Sequence, residues 1–318
     1  MASTSFEILE TTIGDIHDAY RAGRLTARRL VEMYLARIEA FDKKGPALNA
    51  IVTLNPKALD EADRLDAAFK SSGFVGPLHG IPIIVKDQAD AKGMPTTLGS
   101  LLFKDYYPDR DSFVVEKLKK AGAIILAKAT LGELGGGDTH GSLFGSTKNP
   151  YALDRTAGGS SGGSAVSVAA NYSTVAVGQE GFASIRRPSI WNCIAGMRPT
   201  AGLVSRGGVF AGWPEIPGSL GPMARTIRDL ALLLDAMVGY DPEDPLTSRG
   251  VGHVPDSYTK SLDPDGLKGA RIGVHRKSFW FNDQVDKQMN EMIQEMKSHG
   301  AAMVDPANIP TAGKFDDS

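Results

Sequence analysis

The sequence predicts an α/β fold with a mixed, mainly parallel twisted β-sheet core flanked by helices. Three observations lead there. Short apolar runs rich in β-branched residues, such as "GIPIIVKD" and "AIILAKA", read as strands buried on both faces. Longer stretches carry apolar residues three and four apart, the period of a helix packed on one side. The two patterns alternate along the chain, and alternation favours parallel crossover connections.

Taken in order, residues 13–41 read as one or two amphipathic helices. Leu30, Met33, Tyr34 and Ile38 recur at helical spacing, with Arg28, Arg29 and Arg37 on other faces. "PKALDEADRLDAAFK" is a further helix. The run 80–87 is a buried strand ending in Lys86 and Asp87. "SFVVEKLKKAGA" is a helix with Ser112 as its N-cap, and "AIILAKA" is a second buried strand. From Leu131 to Ser164 the chain is dense in Gly, Ser, Thr and Asn, and so long a loop in a compact domain is usually functional or disordered. "SAVSVAANY" follows as a tightly packed helix and "STVAVGQE" as a strand. Then come the helix "TIRDLALLLDAMVG", a turn-rich connection over 239–257, the strand "ARIGVHR", the helix "DQVDKQMNEMIQEMKSHG" and the strand "AAMVDP". The expectation is a single domain over 1–318: helical to about residue 70, a core over 71–240, and a further region from 241.

Composition narrows the function classes. The 318 residues are 42% hydrophobic and 23% charged, with 35 basic against 37 acidic side chains. A net charge of −2 gives no electrostatic reason to expect nucleic acid or an anionic membrane as a partner. Cys193 is the only cysteine, so no intrachain disulfide can form, and its apolar setting "IWNCIAG" predicts a buried structural thiol. No apolar run reaches the ~18–20 residues that span a bilayer, and the N-terminus has no basic and apolar leader. A cytoplasmic location is expected.

The stretch "GGSSGGS" (158–164) admits three readings. A flexible linker should separate two units, whereas this loop runs directly into a helix and a buried strand. A phosphate cradle needs the lysine and spacing of a Walker loop, or the G-x-G-x-x-G pattern, and neither is present. The third reading is catalytic. Serine needs a base within hydrogen-bond reach. Of the six histidines, His17 and His299 lie in polar helices and are expected at the surface; none of the six forms a legible Ser-His-Asp order. Lysine is the other base, once desolvation lowers its pKa. Lys86 is the candidate, although a lone strand-end lysine more often reaches solvent.

Four ordered blocks extend this reading. "GIPIIVKD", "GSLFGSTKNPYALDRTAGGSSGGSAVSVAA", "VAVGQEGFASIRRPS", and "AGMRPTAGLVSRGGV" with "GSLGPMARTIRDLALLL" together resemble the amidase signature family, from about residue 10 to about 275. The resemblance implies a Ser-Ser-Lys triad: Lys86 as base, Ser160 as bridging residue after a cis peptide, and Ser184 as nucleophile. The interval from Ser160 to Ser184 is the family's 24 residues. It further implies an oxyanion hole made by the backbone N–H groups of Gly181, Phe182, Ala183 and Ser184. Ser161, Gly159 and Gly162 would support the site, and Arg186 matches the family's arginine after the nucleophile.

Two departures stand out. Phe182 and Ala183 occupy positions where the family commonly has small residues. Arg187 is an additional arginine with two readings: a bidentate contact to an anionic group, which would make it substrate-binding, or an ion pair with a nearby carboxylate. Family members also continue further, so a C-terminal part is expected to be absent, leaving an unpaired sheet edge. The implied activity is hydrolysis of a carboxylic amide through an acyl-serine intermediate, on a small-molecule amide substrate, with no metal or other cofactor. The alternatives are the glutaminase subunit of a tRNA-dependent amidotransferase and a non-catalytic scaffold. A homodimer is compatible with the sequence.

Overall fold

The computed structural model describes residues 6–210 and 218–311. Helix α1 (Ile13–Arg21) opens on a capping box, with Thr12 Oγ1 accepting from the Asp15 N–H and the Asp15 carboxylate accepting from the Thr12 N–H. Thr26 caps α2 (Ala27–Phe41), which buries Leu30, Val31, Tyr34 and Ile38 on one stripe. Strand β1 (Ile51–Leu54), helix α3 (Ala58–Ser72) and strand β2 (Pro82–Lys86) follow. Ser112 caps α4 (Phe113–Lys120), and β3 (Ile124–Ala129) runs from it.

The long loop carries two small hairpins. They are β4 (His140–Gly141) with β5 (Gly145–Ser146), and β6 (Lys148–Asn149) with β7 (Ala152–Thr156). Helix α5 (Gly162–Ala169) leads into β8 (Val175–Glu180), the short α6 (Arg186–Trp191) and the two-residue β9 (Ala195–Gly196). Strand β10 (Ser219–Ala224) and helix α7 (Ile227–Met237) come next.

These strands form one six-stranded sheet in the order β1-β3-β2-β8-β10-β9. Its centre, β3-β2-β8, is parallel, and β1, β10 and β9 join antiparallel, so the sheet is mixed. Every residue of β2, β3 and β8 is buried, as the unbroken apolar runs predicted. Strand β10 does not announce itself, because Gly221 and Pro222 sit in its middle. The Pro222 carbonyl accepts from the Met197 N–H on the β9 side, so the missing proline N–H falls where the neighbouring strand is shortest.

The expected single domain resolves into two compact units, residues 1–259 and 260–318. The turn-rich segment 239–257 lies within the first unit. There Arg206 grips Asp244 at 2.5 Å and Ser205 donates to buried Asp241. The second unit holds β11 (Arg271–Gly273), α8 (Asp283–Ser298) and β12 (Ala302–Val304), with the two strands parallel. The final residues, 312–318, lie outside the described part.

Two expectations drawn from local composition are corrected. Cys193 is exposed, because it follows α6 with φ of 55° and turns away from the core. His17 is buried, its Nε2 donating to the His79 carbonyl at 3.0 Å, since α1 lays that face against the start of β2.

Candidate active site

Strand β2 delivers Lys86 into the interior. Its four preceding residues, Pro82 to Val85, are fully enclosed between β3 and β8, and Lys86 itself has no solvent exposure. The simple expectation that a strand-end lysine reaches water therefore fails here. Its Nζ donates to Ser160 Oγ at 2.7 Å and to the Gln179 carbonyl at 3.1 Å. Burial pushes the ammonium well below its usual pKa, and the nearby Glu180 carboxylate opposes that shift without cancelling it. Burial therefore disfavours the charged form of this side chain.

The glycine–serine loop supplies the hydroxyl that meets Lys86 Nζ. The Gly159–Ser160 peptide is cis, and Ser160 is 1% exposed. Gly132 donates its N–H to the Ser160 carbonyl at 3.0 Å. Ser161 Oγ donates to the Gln179 carbonyl and accepts from the Gln179 N–H, and the Ser161 N–H donates to the Ser184 carbonyl at 3.1 Å. Ser161 thus ties three segments: the loop, the end of β8 and the Ser184 turn. Gly159 and Gly162 are required by space. A β-carbon on Gly159 would lie 2.5 Å from the Gly137 carbonyl oxygen, and one on Gly162 would lie 2.2 Å from Thr139 Oγ1.

The turn bearing Ser184 is closed by a carboxylate that the sequence pattern does not single out. Glu180, fully buried at the end of β8, accepts from the N–H groups of Ile185 (2.8 Å) and Arg186 (3.0 Å). Its other oxygen takes the Arg186 guanidinium at 2.7 Å, and Arg186 also reaches the Phe182 carbonyl. Residues 181–184 bulge out between these anchors. No acceptor among the described residues takes the N–H groups of Gly181, Phe182, Ala183 or Ser184. The Phe182 side chain is 65% exposed.

Arg187 spends its fork on the protein. It donates to the Gly159 carbonyl (3.2 Å), the Gly137 carbonyl (3.0 Å) and Asp138 (2.7 Å), and stacks over Trp191. Of its two readings, the ion pair is the one present. Among the described residues, no group of three or more His, Cys, Asp or Glu side chains is placed to hold a metal ion.

A family model for amidases matches residues 29–316. The chain belongs to the amidase signature family. A probable amidase of Arabidopsis thaliana is 37% identical over 325 residues, covering 97% of this chain and 60% of that protein. A glutamyl-tRNA(Gln) amidotransferase subunit of Halorhodospira halophila is 38% identical over 300 residues, covering 93% and 60%. The solved structure of native peptide amidase from Stenotrophomonas maltophilia superposes with a TM-score of 0.86 at 37% identity, covering 97% of this chain and 64% of that one. The chain therefore spans about 60% of the length of the curated relatives it matches.

Within this amidase framework the sequence named Lys86, Ser160, Ser161 and Ser184 from blocks far apart in the chain, and folding brings those blocks together. It missed Glu180 and Asp138, the carboxylates that fasten the Ser184 turn to its surroundings. An acidic residue ending a buried apolar strand is the signal that could have found Glu180, because an enclosed carboxylate needs donors.

Proposed function

We propose that this chain carries the nucleophile, relay and base of an amide hydrolase. One observation supports it most: the fully buried Lys86 Nζ sits 2.7 Å from Ser160 Oγ, on the loop that also holds the Ser184 backbone. Neutral Lys86 takes the proton of Ser160, Ser160 takes that of Ser184, and Ser184 Oγ attacks the amide carbon. The tetrahedral oxyanion is met by the N–H groups of residues 181–184, which have no acceptor among the described residues, a contribution of about 3–4 kcal/mol per donor. The relay then returns a proton to the departing amine, and water releases the acyl group by the reverse route.

The test is labelling by a fluorophosphonate together with turnover of a broad amide panel. Ser184 is expected to be the labelled residue by mass spectrometry, with both signals lost in Ser184→Ala. A chain that is neither labelled nor active would instead support a non-catalytic scaffold. The similarity to glutamyl-tRNA(Gln) amidotransferase favours a second reading, release of ammonia from glutamine for a partner protein. Glutamine turnover that exceeds turnover of every simple amide, with a copurifying partner, would select that reading.

A further inference from the structure

A cavity of about 400 Å³ opens beside the segment that follows Lys86. Phe103, Tyr106 and Phe210 line it together with the aliphatic Leu98 and Val209, and its polar lining comes from Asp90 and Thr96. All three aromatic side chains keep considerable solvent exposure, from 38% for Phe103 to 53% for Tyr106. Exposed rings gathered around a hollow are costly unless something covers them.

The cavity is linked to the site described above through the chain segment that follows Lys86. Asp90 is four residues beyond Lys86, a span of at most ~14 Å even when fully extended. The backbone there is pinned against the opposite wall. Asp90 donates its N–H to the Gly208 carbonyl at 2.9 Å, Phe210 donates to the Gln88 carbonyl at 3.0 Å, and Ala89 bridges to Val209. The Gln88 side chain adds a bond to the Phe210 carbonyl at 2.8 Å. Val209 also lines a narrow crevice with Gln179, the residue whose carbonyl accepts from Lys86 Nζ.

The charge balance says what fits. Asp90 accepts from the Thr96 hydroxyl at 2.8 Å and makes no ion pair among the described residues. Its charged neighbours are already engaged: Asp87 lies 3.0 Å from Lys128, and Arg110 is paired with Glu243 at 2.8 Å. Burial raises the Asp90 carboxyl above its ordinary range, Asp87 adds to that shift, and the Thr96 bond, Lys128 and Arg110 oppose it without cancelling it. A half-buried carboxylate among three aromatic rings recognises a cation by charge and by the ring faces.

We propose that this cavity is a substrate subsite for a cationic amine, an alkyl- or arylammonium group carried on the amide substrate. The proposal rests on the hydrolase reading for its place in catalysis, but binding can be measured without turnover. Ser184→Ala protein is titrated by calorimetry with benzyltrimethylammonium and with its neutral isostere neopentylbenzene. Saturable binding of the cation is expected, at least ~10-fold tighter than the isostere and weakened ~10-fold or more by Asp90→Asn. Tyr106→Leu, an exposed position, provides the second variant should Asp90→Asn fail to fold, and is expected to weaken the cation by several-fold. Equal binding of the two compounds, or no binding of either, overturns the proposal. In parallel, wild-type protein receives matched amides bearing a trimethylammonium or a tert-butyl group. The expected kcat/KM ratio of ~10 or more in favour of the cation falls toward one in Asp90→Asn. Turnover of both amides without preference removes the subsite and leaves the hydrolase reading standing. Cation binding sensitive to Asp90 without turnover of any amide does the reverse.

Discussion

Lys86 shows how burial converts a common side chain into a base. In water it would be protonated up to about pH 10.4. Enclosed at the end of β2, it is held well below that ordinary value by desolvation, with only Glu180 pulling the other way. The charged form is the disfavoured one, so base competence appears as pH rises through that lowered value. The kcat/KM profile is expected to climb along a single acidic limb that ends well short of pH ~10.4. Lys86→Ala should lower kcat by about 10²–10⁴-fold, the usual range for a general base. Glu180 predicts a different signature. Glu180→Gln keeps the shape but can accept through only one oxygen, so one of its three bonds to residues 185–186 is lost. Slower fluorophosphonate labelling of Ser184 with an unchanged acylation site is the expected result, measured against the wild-type rate. An unaltered labelling rate would show that Arg186 alone holds the turn.

Strands β2 and β3 carry a second buried lysine, which the sequence pattern presents as part of an apolar run. Lys128 and Asp87 are both without exposure and 3.0 Å apart. The lysine also bonds the Pro95 carbonyl and the Thr96 hydroxyl, and Asp87 takes the Thr97 N–H. The pair therefore ties the two strands to residues 95–97, of which Thr96 lines the aromatic cavity. Removing one partner strands the other charge, so Lys128→Met is expected to cost about 3–5 kcal/mol in urea unfolding. The double change with Asp87→Asn should recover part of that loss. At the start of α5, Gly162→Ala would press a methyl group onto Thr139, whose Oγ1 accepts the Gly162 N–H. Overpacking of this kind costs about 1–3 kcal/mol, and a lowered Tm checks it. The buried strands and capped helices were legible because each advertises itself within a short stretch of chain. Strand β1 is too short to do so, and α6 is a six-residue helix whose start depends on a carboxylate back on β8.

At the scale of the whole molecule, acid stability reflects a cluster where α1 meets the start of β2. His17 and His79 both contact the Phe74 ring, with centroids 4.5 and 5.1 Å away; His79 is stacked on it and His17 is tilted. Burial lowers both pKa values; Arg21 and Asp18 act on His17 in opposite senses, as do Arg64 and Asp66 on His79. The His79 Nδ1 accepts from the Val75 N–H, so protonation there would break a bond. Unfolded histidine takes up its proton near pH ~6.5, before the folded pair does. The stability of the neutral cluster is full above that pH and is lost as pH falls below it, by at most about 1.4 kcal/mol per histidine per unit. Buried Asp42 and Asp229 are raised and act in the opposite sense, so wild type is compared with His17→Gln, which can keep the bond to the His79 carbonyl. The variant should show a flatter fall in unfolding free energy between about pH 6.5 and 5. Identical slopes would remove His17 from the account.

The sequence by itself determined the class of fold, the buried central strands and the three residues proposed as triad. Those features rest on local pattern: apolar runs, glycine spacing, and the order of four motif blocks. Tertiary structure alone decided that Lys86 is sealed from water, that Arg187 is spent on Asp138, that Glu180 closes the Ser184 turn, and that Cys193 faces outward. Each depends on a partner elsewhere in the chain or on which side of an element packs inward. Asp90 belongs to the same group. Its sequence neighbours say only that an acid follows a strand, whereas its meeting with Phe103, Tyr106 and Phe210 depends on chain segments that become neighbours only on folding. Desolvation and charge pairing are properties of the assembled interior, and a linear pattern does not carry them.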